Sequence, residues 1–158
     1  MIRPGAVAVL AVAMAGIKID FVPFDSTLYP YRVQQPMAYR HIVFPDSAGH
    51  QVDYFAPSLG SFVTNVNIYA TGDHPADEAA SMRATGAHHV HVSGSVVLLG
   101  KRVRLLCGDW SGLVGKWREE RLQFEAQGLT WHLTISYDRR FSSSRSLMLR
   151  MLRSFQLR

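Results

Sequence analysis

The sequence has a single cysteine, Cys107. One cysteine excludes a disulfide within the chain and a metal site built from several thiolates. Cys107 lies in the apolar run RVRLLCGDW, where no neighbouring residue supplies the base or the exposure that a reactive thiol needs. We therefore expect it to be buried as a small hydrophobic residue.

The sequence motifs of the common enzyme classes are also missing. There is no G-x-S-x-G elbow, no phosphate-binding G-x-x-x-x-G-K-[ST] loop, no G-x-G-x-x-G motif and no H-E-x-x-H motif. The stretch GDWSGLVGKW has glycines without phosphate-loop spacing, and it is interpreted as a connection between strands. No pair of carboxylates stands out as an acid–base pair, and Glu119-Glu120, beside Arg118 and Arg121, is interpreted as a solvated strand face. The sequence therefore predicts a protein that is not an enzyme.

Acidic residues are absent after Asp138. Six of the 17 lysines and arginines follow it, whereas all 12 acids lie at or before it, so the net charge of +5 comes from the C-terminal segment. A nucleic-acid-binding protein is expected to have a basic body with interleaved aromatic residues. Because the basic charge is confined to one end of the chain, the sequence predicts that the protein does not bind nucleic acid.

The chain begins with the apolar stretch MIRPGAVAVLAVAMAG. One positive charge, about ten small apolar residues and Ala13-Met14-Ala15 form the outline of a secretory signal with its cleavage site. The stretch is short for a membrane-spanning helix, which needs about 20 residues. A retained membrane anchor and a misplaced gene start are the alternatives. We expect residues 1–20 to be a leader and the domain to be extracytoplasmic, either secreted or anchored on the outer face of the cytoplasmic membrane.

The rest of the chain, residues 21–158, has the length and the apolar content of one globular domain. Short apolar runs bounded by proline, glycine and polar turns predict strands. Four of them follow an extended lead-in, IKIDFVPFD, and they are YPYRVQQP, YRHIVFP, VDYFAP and FVTNVNIYAT. Four more come later in the chain, namely HHVHVSGSVVLLG, KRVRLLCGDW, KWREERLQFEAQ and LTWHLTISYD. Turns at Gly100-Lys101 and Gln127-Gly128 join these into hairpins. Alternation predicts one apolar and one polar face for two of the strands. In LTWHLTISYD the apolar face is Trp131, Leu133, Ile135 and Tyr137 and the polar face is His132, Thr134 and Ser136, and in FVTNVNIYAT the polar face is Asn65 and Asn67.

Two helices are predicted. The first, PADEAASMRAT, has Asp73 as its cap, Pro75 in its first turn and Gly86 after its end. The second is capped by Ser142, Ser143 or Ser144 and is amphipathic, with arginines opposite one apolar arc. The arc contains Leu147, Met148, Met151, Leu152 and Phe155, and only Leu149 lies off it. Strands joined by short turns pair antiparallel, so the order predicts an α+β fold with two helices on one antiparallel sheet.

Six segments resemble, in order, the motifs of the PsbP-like, or Mog1/PsbP, superfamily, and identify the chain as similar to its bacterial members. They are YPYRVQQP, VDYFAP, FVTNVNIYATG, DHPADEAASMRATG, VSGSVVLLGKRVRLL and WHLTISYDRRFSSSRSLMLRMLRSFQL, of which the last is the most specific. The resemblance implies an α/β/α sandwich around an antiparallel sheet. It also implies a non-enzymatic role, because most members assist photosystem assembly, bind other proteins or have no known role. Ala38-Tyr39 stand where the family often has tryptophan, and no photosystem-binding N-terminal segment is present.

Three histidines lie within four residues in AHHVHVSG. On a regular strand His89 and His91 share one face and His88 faces away. Two imidazoles at this spacing can ligate zinc or another divalent metal, but a site needs further ligands. The candidates near in sequence are Asp73, His74 and Asp77. The alternative is a solvent-facing strand edge with ordinary histidines, and we expect no resident cofactor.

Two further candidate sites have equally plain structural interpretations. Trp110 and Trp117 flank the glycine-containing connection, where they either line a ligand pocket or cap the core. Arg145, Arg150 and Arg153 form the outer face of the terminal helix, which is either a solvated face or a partner-docking surface.

The sequence leaves two main hypotheses for function. The first is a non-enzymatic, extracytoplasmic accessory subunit that binds or steadies another protein in a membrane-associated complex. It requires a protein partner, and membrane association would come through the N-terminal apolar segment. The alternative is a small-ligand or metal-binding module that uses the histidine strand or the tryptophan pocket. An unrecognised enzyme is a third hypothesis.

Overall fold

A computed structural model of the protein describes residues 18–58 and 63–158. Within these ranges the chain forms ten strands and two helices. They are β1 (Phe21–Asp25), β2 (Tyr31–Pro36), β3 (Arg40–Pro45), β4 (Gln51–Ala56), β5 (Asn65–Thr71), α1 (Glu78–Ala84), β6 (His88–Leu98), β7 (Lys101–Gly112), β8 (Gly115–Ala126), β9 (Leu129–Tyr137), α2 (Ser142–Arg153) and β10 (Gln156–Leu157). The predicted leader lies outside the described residues except for residues 18–20, which have no regular secondary structure.

The strands form two antiparallel sheets. The larger has seven strands in the order β3-β4-β5-β9-β8-β7-β6, and the smaller has the order β1-β2-β10. The α+β class predicted from the sequence is confirmed. The second sheet was not predicted, because it needs the lead-in and the two residues of β10 to pair with β2. The pairing of β10 with β2 is too short and too distant along the chain for a periodicity argument to detect, whereas β1 lies beside β2 in the sequence but falls in the segment interpreted as an extended lead-in.

Two hairpin turns contain the glycines that predict them, although the first is Leu99-Gly100 and not the predicted Gly100-Lys101. Gln127 and Gly128 have positive φ angles of 53° and 73°, and they join β8 to β9 in register from Ala126 and Leu129 onward. Leu99 and Gly100 turn β6 into β7 with similar angles of 51° and 74°. Two consecutive residues with positive φ match the right-handed twist of the flanking strands, which explains the glycine at the second position.

Helix α1 begins later than the sequence predicts. Its cap is Asp77, whose carboxylate accepts a hydrogen bond from the backbone N–H of Ala80, and not Asp73. The backbone carbonyl of Asp73 instead accepts a hydrogen bond from the Thr130 hydroxyl on β9. The predicted end is correct, because Gly86 follows the helix with a φ of 95°. The segment after β5 is therefore held to the sheet before the helix starts.

Helix α2 covers the opposite face of the larger sheet and packs against β9, β2 and β6. Its N-cap position is Phe141, which makes no side-chain capping bond, so the predicted serine cap is wrong. Leu149 is buried, and Leu147 is only partly buried. The apolar arc is therefore rotated by about one residue from the predicted one, because the helix is enclosed by the smaller sheet as well as by β9.

The main core lies between the α2 face of the larger sheet, α2 itself and the smaller sheet. Its centre is an aromatic cluster in which the ring of Tyr31 lies 5.8 Å from Trp131 and 5.3 Å from Phe155. All three side chains are buried, and the Trp131 indole donates to the carbonyl of Ala126. The predicted apolar face of β9 is the floor of this core, whereas α1 packs on the other face over Trp110. Helices on both faces of the sheet give the α/β/α sandwich.

Candidate functional site

A groove crosses the polar face of the larger sheet, on the side of α1. Its floor is made by alternate side chains of β5, β9 and β8, and its walls are α1 and the β3–β4 turn. The cavity has a volume of about 350 Å³. The residues that carry its polar character are Asp46, His50, Asn67, Tyr69, Glu78, Glu119, Arg121, His132 and Thr134. We call this cavity the polar groove.

Arg121 organises the charges on the floor of the polar groove. Its guanidinium lies 2.7 Å from the Glu78 carboxylate of α1 and 2.8 Å from the Glu119 carboxylate of β8. The guanidinium also lies over the Trp110 ring, 5.4 Å from its centroid. Burial disfavours the charged form of Arg121, but the two carboxylates outweigh burial and raise its pKa. The helix, the floor and the indole are therefore fixed relative to one another by one side chain.

A stack of three rings forms one end of the groove. The centroids of His50 and Tyr69 are 5.5 Å apart, and those of Tyr69 and His132 are 4.6 Å apart with an interplanar angle of 6°. Burial raises the pKa of Tyr69 to about 12, with a smaller contribution from the charge of Glu78. Burial also lowers the pKa of His132. The two inner rings of the stack, Tyr69 and His132, are therefore uncharged at neutral pH.

One acceptor on the floor has no partner in the described part of the chain. The Asn67 Nδ2 donates to Asn65 at 3.1 Å, but the Asn67 Oδ1 is buried and accepts no hydrogen bond from residues 18–58 or 63–158. Buried polar atoms are nearly always hydrogen-bonded, so this acceptor leaves a place for a donor from solvent or from a binding partner.

The two tryptophans predicted as pocket residues lie opposite each other on β7 and β8 and have different environments. Trp110 is 8% exposed and packs with Met82 and Ala87 beneath α1. Trp117 lines a neighbouring pocket of about 390 Å³ that shares Asn67 and Glu119 with the polar groove. The structure therefore places Trp110 in a small core, and Trp117 packs against that core while lining the pocket beside the polar groove.

The histidine strand is irregular. His88 pairs with Asp109 and His91 with Cys107, and the register shifts between them. His89 has a positive φ of 53°, and the His91 ring nitrogen Nδ1 lies 2.6 Å from the His89 carbonyl oxygen. The simple alternation assumed for His89 and His91 therefore does not apply. Across residues 18–58 and 63–158, no group of three or more His, Cys, Asp or Glu side chains is arranged to hold a metal ion.

The three arginines predicted as a docking face differ in their contacts. The Arg145 guanidinium pairs with Glu120 on β8 at 2.9 Å. Arg150 lies over the ring of Phe21, 4.1 Å from its centroid, and so connects α2 to β1. Arg153 is exposed. Arg150 is exposed as well, so two of the three charges face outward as the helical periodicity predicts, whereas Arg145 is engaged by the sheet.

A buried carboxylate that the sequence did not single out lies between the two sheets. Asp53 is fully buried, accepts hydrogen bonds from the hydroxyls of Ser26 and Tyr31, and lies 2.7 Å from the His41 Nε2. Ser26 donates to the aspartate and not to the histidine, whereas in a catalytic triad the histidine accepts from the serine. The cluster is therefore a buried polar connection between β1–β2 and β3–β4.

The groove was missed because its residues are far apart in the sequence. The polar positions Asn65 and Asn67 of β5 and His132, Thr134 and Ser136 of β9 were each assigned correctly to a polar face. These side chains come together only when β5 pairs with β9, which places Asn67 opposite Thr134 and Tyr69 opposite His132. No local pattern indicates that two strands more than 60 residues apart are neighbours.

Comparison with solved structures defines the class of fold as PsbP-like. The solution structure of cyanobacterial PsbP (CyanoP) from Synechocystis sp. PCC 6803 is similar with a TM-score of 0.52 and 15% identity, over 90% of this chain and 96% of that one. The resemblance stated from the sequence is thereby confirmed at the level of the fold.

Two other solved structures are similar. A protein from Bacteroides thetaiotaomicron matches with a TM-score of 0.53 and 11% identity over 86% of this chain, which spans 48% of that protein's length. LpqN, involved in cell envelope biogenesis of Mycobacterium tuberculosis, has a TM-score of 0.43 and 16% identity, over 88% of this chain and 91% of that one. No protein-family model matches the sequence, and no curated protein is significantly similar to it. Among the described residues, no helix is long and apolar enough to cross a membrane.

Proposed function

We propose that this chain is a non-enzymatic, extracytoplasmic accessory domain that binds a partner protein through the polar groove. The PsbP-like fold supports an accessory role, because the superfamily that the sequence resembles consists mostly of non-enzymatic proteins. The observation that carries the proposal is the buried and unpartnered Asn67 Oδ1 on the floor of a preformed groove. A hydrogen-bond donor from a partner would satisfy this atom.

The charges of the groove favour a basic donor. Its lining contains the carboxylates Asp46, Glu78 and Glu119 against one guanidinium, that of Arg121. With both histidines neutral, the formal charge of the lining is therefore −2. A lysine or arginine side chain of the partner would satisfy the acceptor and would be attracted by this negative charge. Complementary charge of this kind guides association and fixes the register of an interface.

The groove is also rigid, which favours binding. The Glu78–Arg121–Glu119 contacts connect its wall to its floor, and the His50–Tyr69–His132 stack closes one end. A surface that is ordered before binding loses less conformational entropy when the partner docks. The same contacts make the acids poor candidates for a catalytic base, since each of the three carboxylates is already engaged by a cation or by a histidine.

Site-specific photo-crosslinking in native membranes tests the proposal. A photoreactive residue replaces Ser81, which is exposed at the groove wall, and the matched control carries it at Arg153 on the opposite face. We expect one partner to crosslink from position 81 in stoichiometric yield and not from position 153. The Asn67→Ala variant should reduce that product. Recovery of the protein alone, or equal crosslinking from both positions, would contradict the proposal.

The extracytoplasmic location has its own test. The apolar leader pattern of residues 1–16 motivates it, and a reporter enzyme that is active only after export can be fused to the C-terminus of the full chain. We expect reporter activity from the full chain and its loss when charged residues replace the apolar run. Equal activity from both fusions would count against export through this segment.

A further inference from the structure

One end of the larger sheet carries apolar side chains at the apex of a hairpin. β7 and β8 are joined by Leu113 and Val114, which lie between the paired glycines Gly112 and Gly115. The Leu113 side chain is fully exposed, and Val114 is more than half exposed. Phe141, at the start of α2, is 56% exposed, and the guanidinium of its neighbour Arg140 lies over its ring. We call Leu113 and Val114 the apolar tip, and Phe141 is connected to it through Arg140, which lines the same recess as Val114.

The turn itself does not require these apolar residues. Two-residue hairpin turns are normally built from glycine, asparagine or aspartate, whose side chains tolerate a positive φ. Here the positive φ falls on Gly115, at 117°, and neither Leu113 nor Val114 adopts one. A polar residue would therefore fit at either position, and the exposure of two aliphatic side chains at an apex needs another reason.

Cations surround the apolar tip. Val114 lines a recess of about 650 Å³ together with Lys116, Arg139 and Arg140, and Asp138 is its one carboxylate. The formal charge of this lining is therefore +2. The Arg139 and Arg140 side chains are 63% and 81% exposed, so their pairs with Asp109 and Asp138 leave most of each guanidinium in water.

We propose that the apolar tip and its cations dock on an anionic membrane surface. Aliphatic and aromatic side chains that project from an apex can enter the boundary between headgroups and acyl chains, while cations beside them meet anionic headgroups. This surface lies beyond the proposed function, which concerns a protein partner in the polar groove. Leucine and valine are under-represented among the residues that dominate binding between proteins, so Leu113 and Val114 beside exposed cations suit an anionic bilayer better than a protein partner.

An environment-sensitive fluorophore on the full chain tests the docking. The fluorophore is attached to the thiol introduced by Leu113→Cys. The control is Leu99→Cys, on the β6–β7 turn at the opposite end of the sheet. Cys107 is fully buried and burial raises the pKa of its thiol to about 11, so the introduced thiol reacts first. The probes are phosphatidylcholine vesicles with and without phosphatidylglycerol.

We expect a blue shift at position 113 with the anionic vesicles only, and none at position 99. The N-terminal segment is present in both labelled proteins, so a difference between them reports the tip. Lys116→Gln, Arg139→Gln and Arg140→Gln together should weaken partitioning into anionic vesicles by about fivefold for each cation removed. These side chains are exposed, and an unchanged thermal transition will show that the variant is folded.

Three results would overturn the proposal. The first is no shift at position 113 with anionic vesicles, and the second is an equal shift at positions 113 and 99. The third is a Leu113→Ser, Val114→Ser variant that keeps vesicle binding but loses crosslinking to the groove partner, which would assign the tip to a protein interface.

Discussion

The Arg145 guanidinium on α2 pairs with the carboxylate of Glu120 in the middle of β8, at 2.9 and 3.1 Å. Glu120 is 2% exposed, whereas the Arg145 side chain is 36% exposed. The Tyr137 hydroxyl donates to the same carboxylate at 3.0 Å. One arginine of the basic helix is therefore used to hold that helix on the sheet by neutralising a buried charge.

Arg145→Met should lower the free energy of unfolding by about 2 kcal/mol. Removing one partner of a buried ion pair costs about 3–5 kcal/mol, and the partial exposure of Arg145 reduces that cost. Arg153→Met on the same helix is the matched control and should change stability by less than about 0.5 kcal/mol. Urea denaturation measures both. Equal losses from the two variants would mean that the pair with Glu120 contributes nothing specific.

Asp53→Asn should lower the free energy of unfolding at neutral pH. It should also make the free energy of unfolding depend less on pH in the acid range. Burial disfavours ionisation of Asp53, but contacts with His41, Ser26 and Tyr31 outweigh it and lower the pKa of the carboxyl. The unfolded chain, with a pKa of about 3.9, therefore binds this proton first as the pH falls. Stability from Asp53 is complete above that value and is lost as the pH falls through the lower pKa of the folded state.

The measurement is the urea midpoint of wild type and Asp53→Asn between neutral and acid pH. We expect a loss of about 2 kcal/mol at neutral pH, since hydrogen bonds to a charged group contribute about 1.5–3 kcal/mol each. Asp25→Asn removes an exposed carboxylate paired with Arg32 and serves as the control, with little change at neutral pH. A parallel pH dependence in wild type and Asp53→Asn would contradict the argument.

Gly108→Ala should be destabilising by about 1–3 kcal/mol, the cost of overpacking a well-filled core. An added Cβ would lie 2.8 Å from the Met82 side chain, 3.1 Å from the Trp110 ring and 3.2 Å from the Ala87 Cβ. The methionine can move aside, but the ring and the alanine cannot. Gly94→Ala on β6 is the control, because no other atom lies within 4 Å of its added Cβ. Thermal unfolding distinguishes them, and similar midpoints would show that α1 repacks freely.

The residues that sequence periodicity placed correctly are those with local partners. The apolar face of β9, the hairpin turn at Gln127-Gly128 and the amphipathic α2 each depend on neighbours within a few residues. Glu119 and Glu120 show the limit of that reasoning. The pair was interpreted as a solvated face beside Arg118 and Arg121, yet Glu119 faces the polar groove with Arg121 and Glu120 is buried against α2.

Alternation along a strand separates two such residues, but it does not say which face is covered. That choice is made by α2 and the smaller sheet, which come from distant parts of the chain. The Asp53 cluster and the polar groove were missed for the same reason. Their side chains meet only after β5 pairs with β9 and β2 packs over β4, and neither event leaves a local pattern.

His132 provides a prediction about the polar groove itself. Burial lowers the pKa of its imidazole, and the charge of Glu78, whose carboxylate lies 3.9 Å away, partly opposes that shift. In an NMR titration of the ring, the midpoint should therefore lie below the ordinary value of about 6.5. Glu78→Gln removes the opposing charge but keeps the side-chain shape, so it should lower the midpoint further.

The same shift has a consequence for stability. Because the folded pKa of His132 is lower than that of the unfolded chain, the unfolded state binds the proton first as the pH falls below about 6.5. His132 therefore lowers stability progressively between that pH and its folded pKa, and His132→Gln should remove this part of the pH dependence. Thr134→Ser, at a neighbouring position of the groove that does not titrate, is the control and should keep it. If Glu78→Gln instead raised the His132 midpoint, the carboxylate would not be acting on the ring through its charge, and the electrostatic description of the groove would be wrong.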